Sequence, residues 1–356
     1  MHNVYLNNYE AACASGINID EICHNLKQNK SGINARFFDF DERKEIFVGS
    51  FPDEELKRMQ LVDLCLKFIK KLKIDLYDRR TLLIIASTKA DIDTLRTTNP
   101  ESAMLDALVG DLRINLRAFN YPILISNACV SGISALLQAH DFIKMGYYKK
   151  VAVCGVDLVS HFVVSGFNSL TAISPKPCTP YDKYRTGVSL GEAIAVAVLS
   201  DEKSDIEILG GASANDANHI SGPSRTGEGL ILAVKNAIKQ AGISNFDFIN
   251  AHGTATVFND EMESQAFNTL GFQNIPLNSL KGYFGHTLGA AGLLETLVCA
   301  EMMKRNIAYK SLGFEEEGTT LPLNILRENR EMNLNTVLKT ASGFGGTNAA
   351  IILKKG

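Results

Sequence analysis

Short apolar runs alternate with longer stretches in which apolar side chains recur every three or four positions, from near one end of the chain to the other. An unbroken apolar run between small or polar residues suits a strand buried on both faces, whereas the wider spacing suits a helix with one buried stripe. The runs predict strands at 81–86, 122–126, 151–156, 193–199, 246–251, 336–339 and 349–353. The spaced stretches predict helices at 54–71, 130–145, 229–241, 260–270 and 288–305, with the spacing of a buried face near Leu64, Phe68 and Leu72 at the end of the first. Strands and helices taken in turn make an α/β protein.

No Pro-, Ser- or charge-rich linker divides the chain. A weak break lies at Ser200–Ser204, where an apolar strand ends in Ser-Asp-Glu-Lys-Ser. On each side of it the same unit occurs: strand, small-residue loop, helix, strand. The expectation is two fused, similar halves, 1–200 and 201–356.

Composition narrows the function classes. With 46% hydrophobic and 21% charged residues the chain has an ordinary globular balance, and its net charge of −3 supplies no overall basic field for nucleic acid. The seven cysteines are scattered, with no C-x-x-C pair, so neither a disulfide framework nor a metal site is expected, and a reducing cytoplasm fits best. The first residues lack the basic-then-apolar pattern of a signal peptide. No apolar run approaches the roughly 20 residues of a membrane span.

Four segments carry chemistry. In ILISNACVSGISALL a strand runs into small residues and then a helix, leaving Cys129 at the helix N-terminus. There the helix dipole and free amides would favour a thiolate and could hold an oxyanion. A buried structural cysteine is the competing reading, since free Cys is usually buried. FINAHGTATVFNDEMES places His252 directly after an apolar strand, where α/β sheets present ligands, with the hydroxyls of Thr254 and Thr256 close by. A packed core histidine remains the alternative. LNSLKGYFGHTLGAAGLLETL brings Lys281, His286 and Glu295 together, and Gly289-Ala290-Ala291-Gly292 lets the helix that follows approach other backbone. LKTASGFGGTNAAIIL sets Gly343-Phe344-Gly345-Gly346 between two strands, either a mobile loop presenting N–H groups or a glycine-rich hairpin turn.

Together, and in this order, SNACVSG, AHGTAT with Asn259, Asp260 and Glu263, KGYFGHTLGAAG with Glu295, and GFGGTNAA resemble the β-ketoacyl-acyl carrier protein synthases of the elongating Cys-His-His type. Gly166-Phe167 with Ala172-Ile173-Ser174 is similar to a further family stretch. So are Pro180-Tyr181-Asp182 with Arg185 and Gly191-Glu192, and Asp216-Ala217 with His219 and Pro223. The likeness covers nearly the whole chain and is weakest over 40–115. It implies a thiolase-like five-layered αβαβα fold, in two pseudo-duplicated halves each with a mixed five-stranded sheet.

The resemblance also implies roles. Cys129 would carry the acyl chain as a thioester, while His252 and His286 bind malonyl thioester and promote its decarboxylation. Lys281 and Glu295 would hold that polar network. Thr254 and Thr256 would bind the phosphopantetheine arm, Phe344 would gate the acyl chain between Gly343 and Gly345, and the amides of Cys129 and Phe344 would take the oxyanion. No cofactor is implied beyond the arm that the acyl carrier protein brings. That carrier protein is the expected partner, with a homodimer, or a heterodimer with a related subunit, as the assembly. Departures from the family pattern at Gly187-Val188-Ser189, Phe284 and Ser342, and a short segment before Cys129, point to a reshaped acyl pocket. A non-catalytic chain-length-factor-like subunit is the nearest alternative, although such proteins usually lack the cysteine. Thiolases would place a second cysteine beyond Cys299, and initiating synthases pair Cys with His and Asn. A scaffold protein predicts none of these residues.

Overall fold

The computed structural model describes residues 2–40, 42–96, 100–216 and 218–356. The N-terminal part runs β1 (Tyr5–Cys13), α1 (Ile19–Lys27), β2 (Ile33–Asp39), β3 (Arg43–Gly49), α2 (Glu54–Arg58), α3 (Leu61–Lys71), β4 (Thr81–Ala86), α4 (Leu105–Leu116), β5 (Ile123–Ile125), α5 (Ser131–Lys144), β6 (Lys150–Asp157), α6 (His161–Ser169) and β7 (Ala193–Ser200). The remainder runs β8 (Ile206–Asn215), α7 (Glu228–Ala241), β9 (Phe248–Asn250), α8 (Val257–Thr269), β10 (Leu277–Asn278), α9 (Lys281–Phe284), α10 (Ala291–Arg305), β11 (Ile307–Ala308), β12 (Arg330–Glu331), β13 (Thr336–Gly343) and β14 (Thr347–Lys355).

Five strands pair as β5-β4-β6-β7-β1 and five as β10-β9-β13-β14-β8. A short seam joins the two sets, where Tyr5 and Leu6 meet Glu207 and Ile206. Numbered within its own half, each set lies in the order 3-2-4-5-1. In both, strand 2 is parallel to strands 3 and 4, and the remaining pairs are antiparallel. The duplication suggested by the repeated unit is therefore a repeat of topology.

The apolar runs are strands because both faces are covered. In β7, Ala193, Ala195, Ala197 and Leu199 face the central core, while Ile194, Val196 and Val198 face an outer one. In β14, Ala349, Ile351 and Leu353 face the centre, and Ala350 and Ile352 the opposite outer core. Helices α5 and α10 fill the central layer, α3 and α4 cover one sheet, and α7 and α8 the other. That makes the five layers expected. Gly132 and Gly292 let α5 and α10 touch backbone to backbone: a Cβ on Gly132 would lie 2.5 Å from the Leu293 nitrogen, and one on Gly292 2.7 Å from that of Ile133.

Four expected elements are corrected. The helix at 54–71 is two helices, because Leu56 and Leu61 are both buried yet stand five residues apart, off a single helical stripe. Extended backbone at Met59 and Gln60 resets the phase so that both can point inward. The strands at 122–126 and 246–251 shorten to the three residues each of β5 and β9. The helix at 288–305 begins with a tighter 3₁₀ turn at Leu288–Ala290. Ala217 lies outside the described residues. Among the described residues no helix is long and apolar enough to cross a membrane.

Candidate active site

Cys129 stands between β5 and α5 on a turn made possible by Ala128, whose φ of +44° is left-handed. A non-glycine residue there costs about 1–2 kcal/mol, and Ser131 holds it in place. The Ser131 hydroxyl accepts the Asn127 N–H at 2.8 Å and donates to the Ala128 carbonyl at 2.6 Å. No side chain caps the first turn of α5. The β13–β14 connection lies directly against this turn, for a Cβ on Gly343 would come within 3.0 Å of the Cys129 nitrogen. The N–H groups of Phe344 and of Cys129 itself act to lower the pKa of the sulfur.

The protonation of that sulfur differs from the helix-terminus expectation. Cys129 is only 6% exposed. Burial pushes its thiol up to about 12; the Lys281 charge and the Phe344 N–H pull it down, and Asp157 adds to the rise. Loss of solvation outweighs the helix end, so the resting group is a thiol rather than the expected thiolate.

His252 follows β9 on a loop fastened by two carboxylates of α8. Glu263 accepts the N–H groups of His252 and Gly253, each at 2.7 Å, and the Tyr181 hydroxyl at 2.8 Å. Asp260 accepts the N–H groups of Thr254 at 3.1 Å and Tyr181 at 2.8 Å. His286 is set by backbone, its N–H donating to the Ser189 carbonyl at 2.7 Å while its own carbonyl accepts from Gly191 at 2.9 Å. The two imidazoles meet edge to face, centroids 5.1 Å apart at 87°. Burial first, then the Lys281 charge, holds both well below the ordinary histidine value, so both are neutral at pH 7.

The tautomer of His252 follows from Lys281. The Lys281 ammonium lies 3.4 Å from His252 Nδ1 and donates to the His252 carbonyl at 2.5 Å. An ammonium has only donors, so Nδ1 accepts and the ring proton sits on Nε2. Lys281 also pairs with Glu295 Oε1 at 2.8 Å. The other oxygen, Oε2, is taken by Lys339, whose ammonium also donates to the Thr340 carbonyl at 2.7 Å. Burial alone would raise Glu295, but the two lysines hold it below the usual carboxylate range.

Around this centre lie the remaining expected residues. The Thr254 and Thr256 hydroxyls are 2.8 Å apart. Phe344 stacks on Phe167, centroids 5.3 Å apart at 22°. Gly345, with φ of +81°, donates to the Ile220 carbonyl at 2.7 Å and accepts from Asn215 at 2.8 Å. The loop thus makes a hairpin connection and also supplies an N–H to Cys129. Of the departing residues, Phe284 is wholly buried, Val188 is buried, and Ser342 donates to Asn348 at 2.8 Å.

Two groups were not anticipated. Lys339 had a signal, a lysine within an otherwise apolar or small-residue strand beside GFGG. Asp157, fully buried at the end of β6, accepts from Ser87, Thr88 and Lys89 and from the Gly289 N–H at 2.7 Å. It ties the ends of β4 and β6 to the turn that opens α10.

Family models reach most of this frame. Residues 87–205 match the β-ketoacyl synthase N-terminal domain, and residues 206–315 the C-terminal domain. A 3-oxoacyl-[acyl-carrier-protein] synthase 2 of Coxiella burnetii is 31% identical over 74% of this chain and 70% of its own. One of Rhizobium meliloti is 31% identical over 68% of this chain, which spans 62% of that relative's length. A chain of the complex between a Xenorhabdus doucetiae ketosynthase and its chain length factor superposes with a TM-score of 0.90 at 26% identity, covering 100% of this chain and 98% of the other. With both domain models matched in order on the two halves, and a relative aligned over most of its length, the chain belongs to the β-ketoacyl synthase family.

Proposed function

We propose that the protein is a decarboxylating β-ketoacyl-acyl carrier protein synthase. The reading rests above all on one observation: the same buried lysine, Lys281, acts on the Cys129 thiol and on two neutral histidines that meet edge to face. Cys129 attacks an acyl thioester; the new C–S bond replaces the one to the carrier arm, which leaves as a thiol carrying the cysteine proton. Capture on the protein splits one difficult condensation into two easier steps. Malonyl thioester then loses CO₂, and its C–C bonding pair becomes an enolate. The Nε2–H of His252, with His286, stabilises the enolate oxygen. The enolate carbon attacks the acyl-Cys129 carbonyl, whose oxyanion rests on the Cys129 and Phe344 amides. Collapse expels the Cys129 thiolate, which takes up one proton.

Thr254 and Thr256 bind the phosphopantetheine arm, which comes with the substrate, so no separate cofactor enters. Phe344 gates the acyl channel against Phe167, between Gly343 and Gly345. The division of labour follows the halves, 1–200 with the nucleophile and 201–356 with the histidines and the loop. Acyl carrier protein is the partner, in the cytoplasm, and the pathway is fatty acid or polyene/polyketide-like synthesis. The Xenorhabdus doucetiae complex supports a second reading of the assembly, a heterodimer with a related subunit, in which this chain would be the chain-length-factor-like member. Cys129 speaks for the catalytic member. After incubation with an acyl-carrier thioester, intact mass should show one acyl adduct on the wild type and none on Cys129→Ala. Equal adducts on both would remove the proposal.

A further inference from the structure

Lys339 takes part in none of these steps, yet it is wholly buried and spends its ammonium on the same carboxylate as Lys281. One carboxylate therefore lies between two ammonium groups in a cluster closed to water. Each lysine takes one oxygen, which fixes the carboxylate plane. Lys281 can then keep its other hydrogens on the His252 carbonyl and Nδ1. Without Lys339, the second oxygen of Glu295 would be left buried and unpaired. An unpaired buried charge seeks whatever donor is near, and the nearest is the ammonium of Lys281. The carboxylate would turn to take it with both oxygens and draw it off His252.

We propose that Lys339 is a positioning residue for decarboxylation: it clamps Glu295 so that Lys281 stays on His252 and keeps the ring proton on Nε2. The proposal rests on the condensing reading above. The charged and titratable groups that face His252 are Lys281, His286 and Lys339, with Glu295 between the lysines and Glu263 on the His252 backbone N–H. Removing Lys339 takes away a cation and loosens another, so imidazolium becomes easier to form and the titration of His252 moves upward. Acyl loading of Cys129 does not pass through His252 and should survive.

Two measurements test this. In the resting protein, ¹⁵N-histidine NMR should show His252 silent from about pH 5.5 to 8, the ordinary window for histidine. In Lys339→Met the onset of its titration should move upward in pH, and in Lys339→Arg it should return to the wild-type position. With malonyl thioester, Lys339→Met should lose CO₂ release about tenfold or more while intact mass shows near-normal Cys129 acylation. Lys339→Arg should recover most of the loss. An unmoved His252 titration with wild-type CO₂ release in Lys339→Met would overturn the proposal, as would equal losses of loading and decarboxylation. Should Lys339→Met not fold, the comparison passes to Glu295→Gln with and without Lys339→Met. These should be alike, and a further tenfold loss in the double variant would sink the clamp. A wild type that releases no CO₂ would instead remove the condensing reading, with the NMR arm still deciding on Lys339.

Discussion

Cys129 rests as a thiol and the two histidines rest neutral, and one cause, loss of solvation, underlies both. Neutral imidazoles keep an N–H to offer an enolate without adding a cation that would hold the malonyl carboxylate in place. Their work belongs to the second half of the reaction. In His252→Ala and His286→Ala we therefore expect acylation of Cys129 to persist within a few-fold while CO₂ release falls about 10²–10⁴-fold. Loss of acylation with normal decarboxylation would reverse the roles. Cys129, His252, Lys281, His286 and Glu295 were all legible, because each sits in a short segment whose neighbours are as distinctive as the residue itself. The direction in which the thiol shifts was not legible. A helix end can be read from local spacing, but the depth of burial depends on β13, β14 and α10, distant in the chain. Lys339 was passed over for the same reason, since its partner Glu295 lies on another element.

At the scale of elements, the contact of α5 with α10 sets where Cys129 stands. Gly132 is the second residue of α5, with the Leu293 nitrogen against it. Gly132→Val must push the helices apart, and we expect it to lower stability by about 2–4 kcal/mol by urea titration. Gly110, within α4, offers the contrast: a Cβ there meets nothing within 4 Å. Gly110→Ala should raise stability by about 0.5–1 kcal/mol. Equal effects at the two glycines would show that packing at the crossing does not matter. Periodicity revealed α3, α5 and α7 because each keeps one clear stripe, and α10 as a long apolar stretch buried all round. It did not reveal β1, where the pairing with β7 shifts between Leu6 and Tyr9 around Asn7 and Asn8, an irregularity that breaks the alternation of two. Nor did it reveal β8, whose Gly210-Gly211 pair interrupts the apolar run.

For the whole molecule, the two ends of the joined sheets differ. β10 is buried, with Leu277 bridged to Ile325. β5 is half-exposed along all three residues, and Phe119 and Tyr121 stand exposed just before it. An open edge beside exposed aromatics supports assembly through β5. Light scattering should give twice the chain mass for the wild type, falling towards one chain in Ile123→Lys; a wild type that is monomeric at micromolar concentration would count against a homodimer. The repeated unit in the sequence pointed to duplication, but strand order was hidden, because it depends on which strands become neighbours rather than on any one strand's composition. That order has a kinetic consequence. In a 3-2-4-5-1 half the first strand is closed by the last, so β1 has no partner until β7, residues 193–200, has been made. At about 5–20 residues per second on a ribosome, Tyr5–Cys13 waits roughly 10–40 s as an unpaired strand on the nascent chain. During synthesis Ala11, Ala12 and Cys13 therefore stay open to mispairing until β7 emerges.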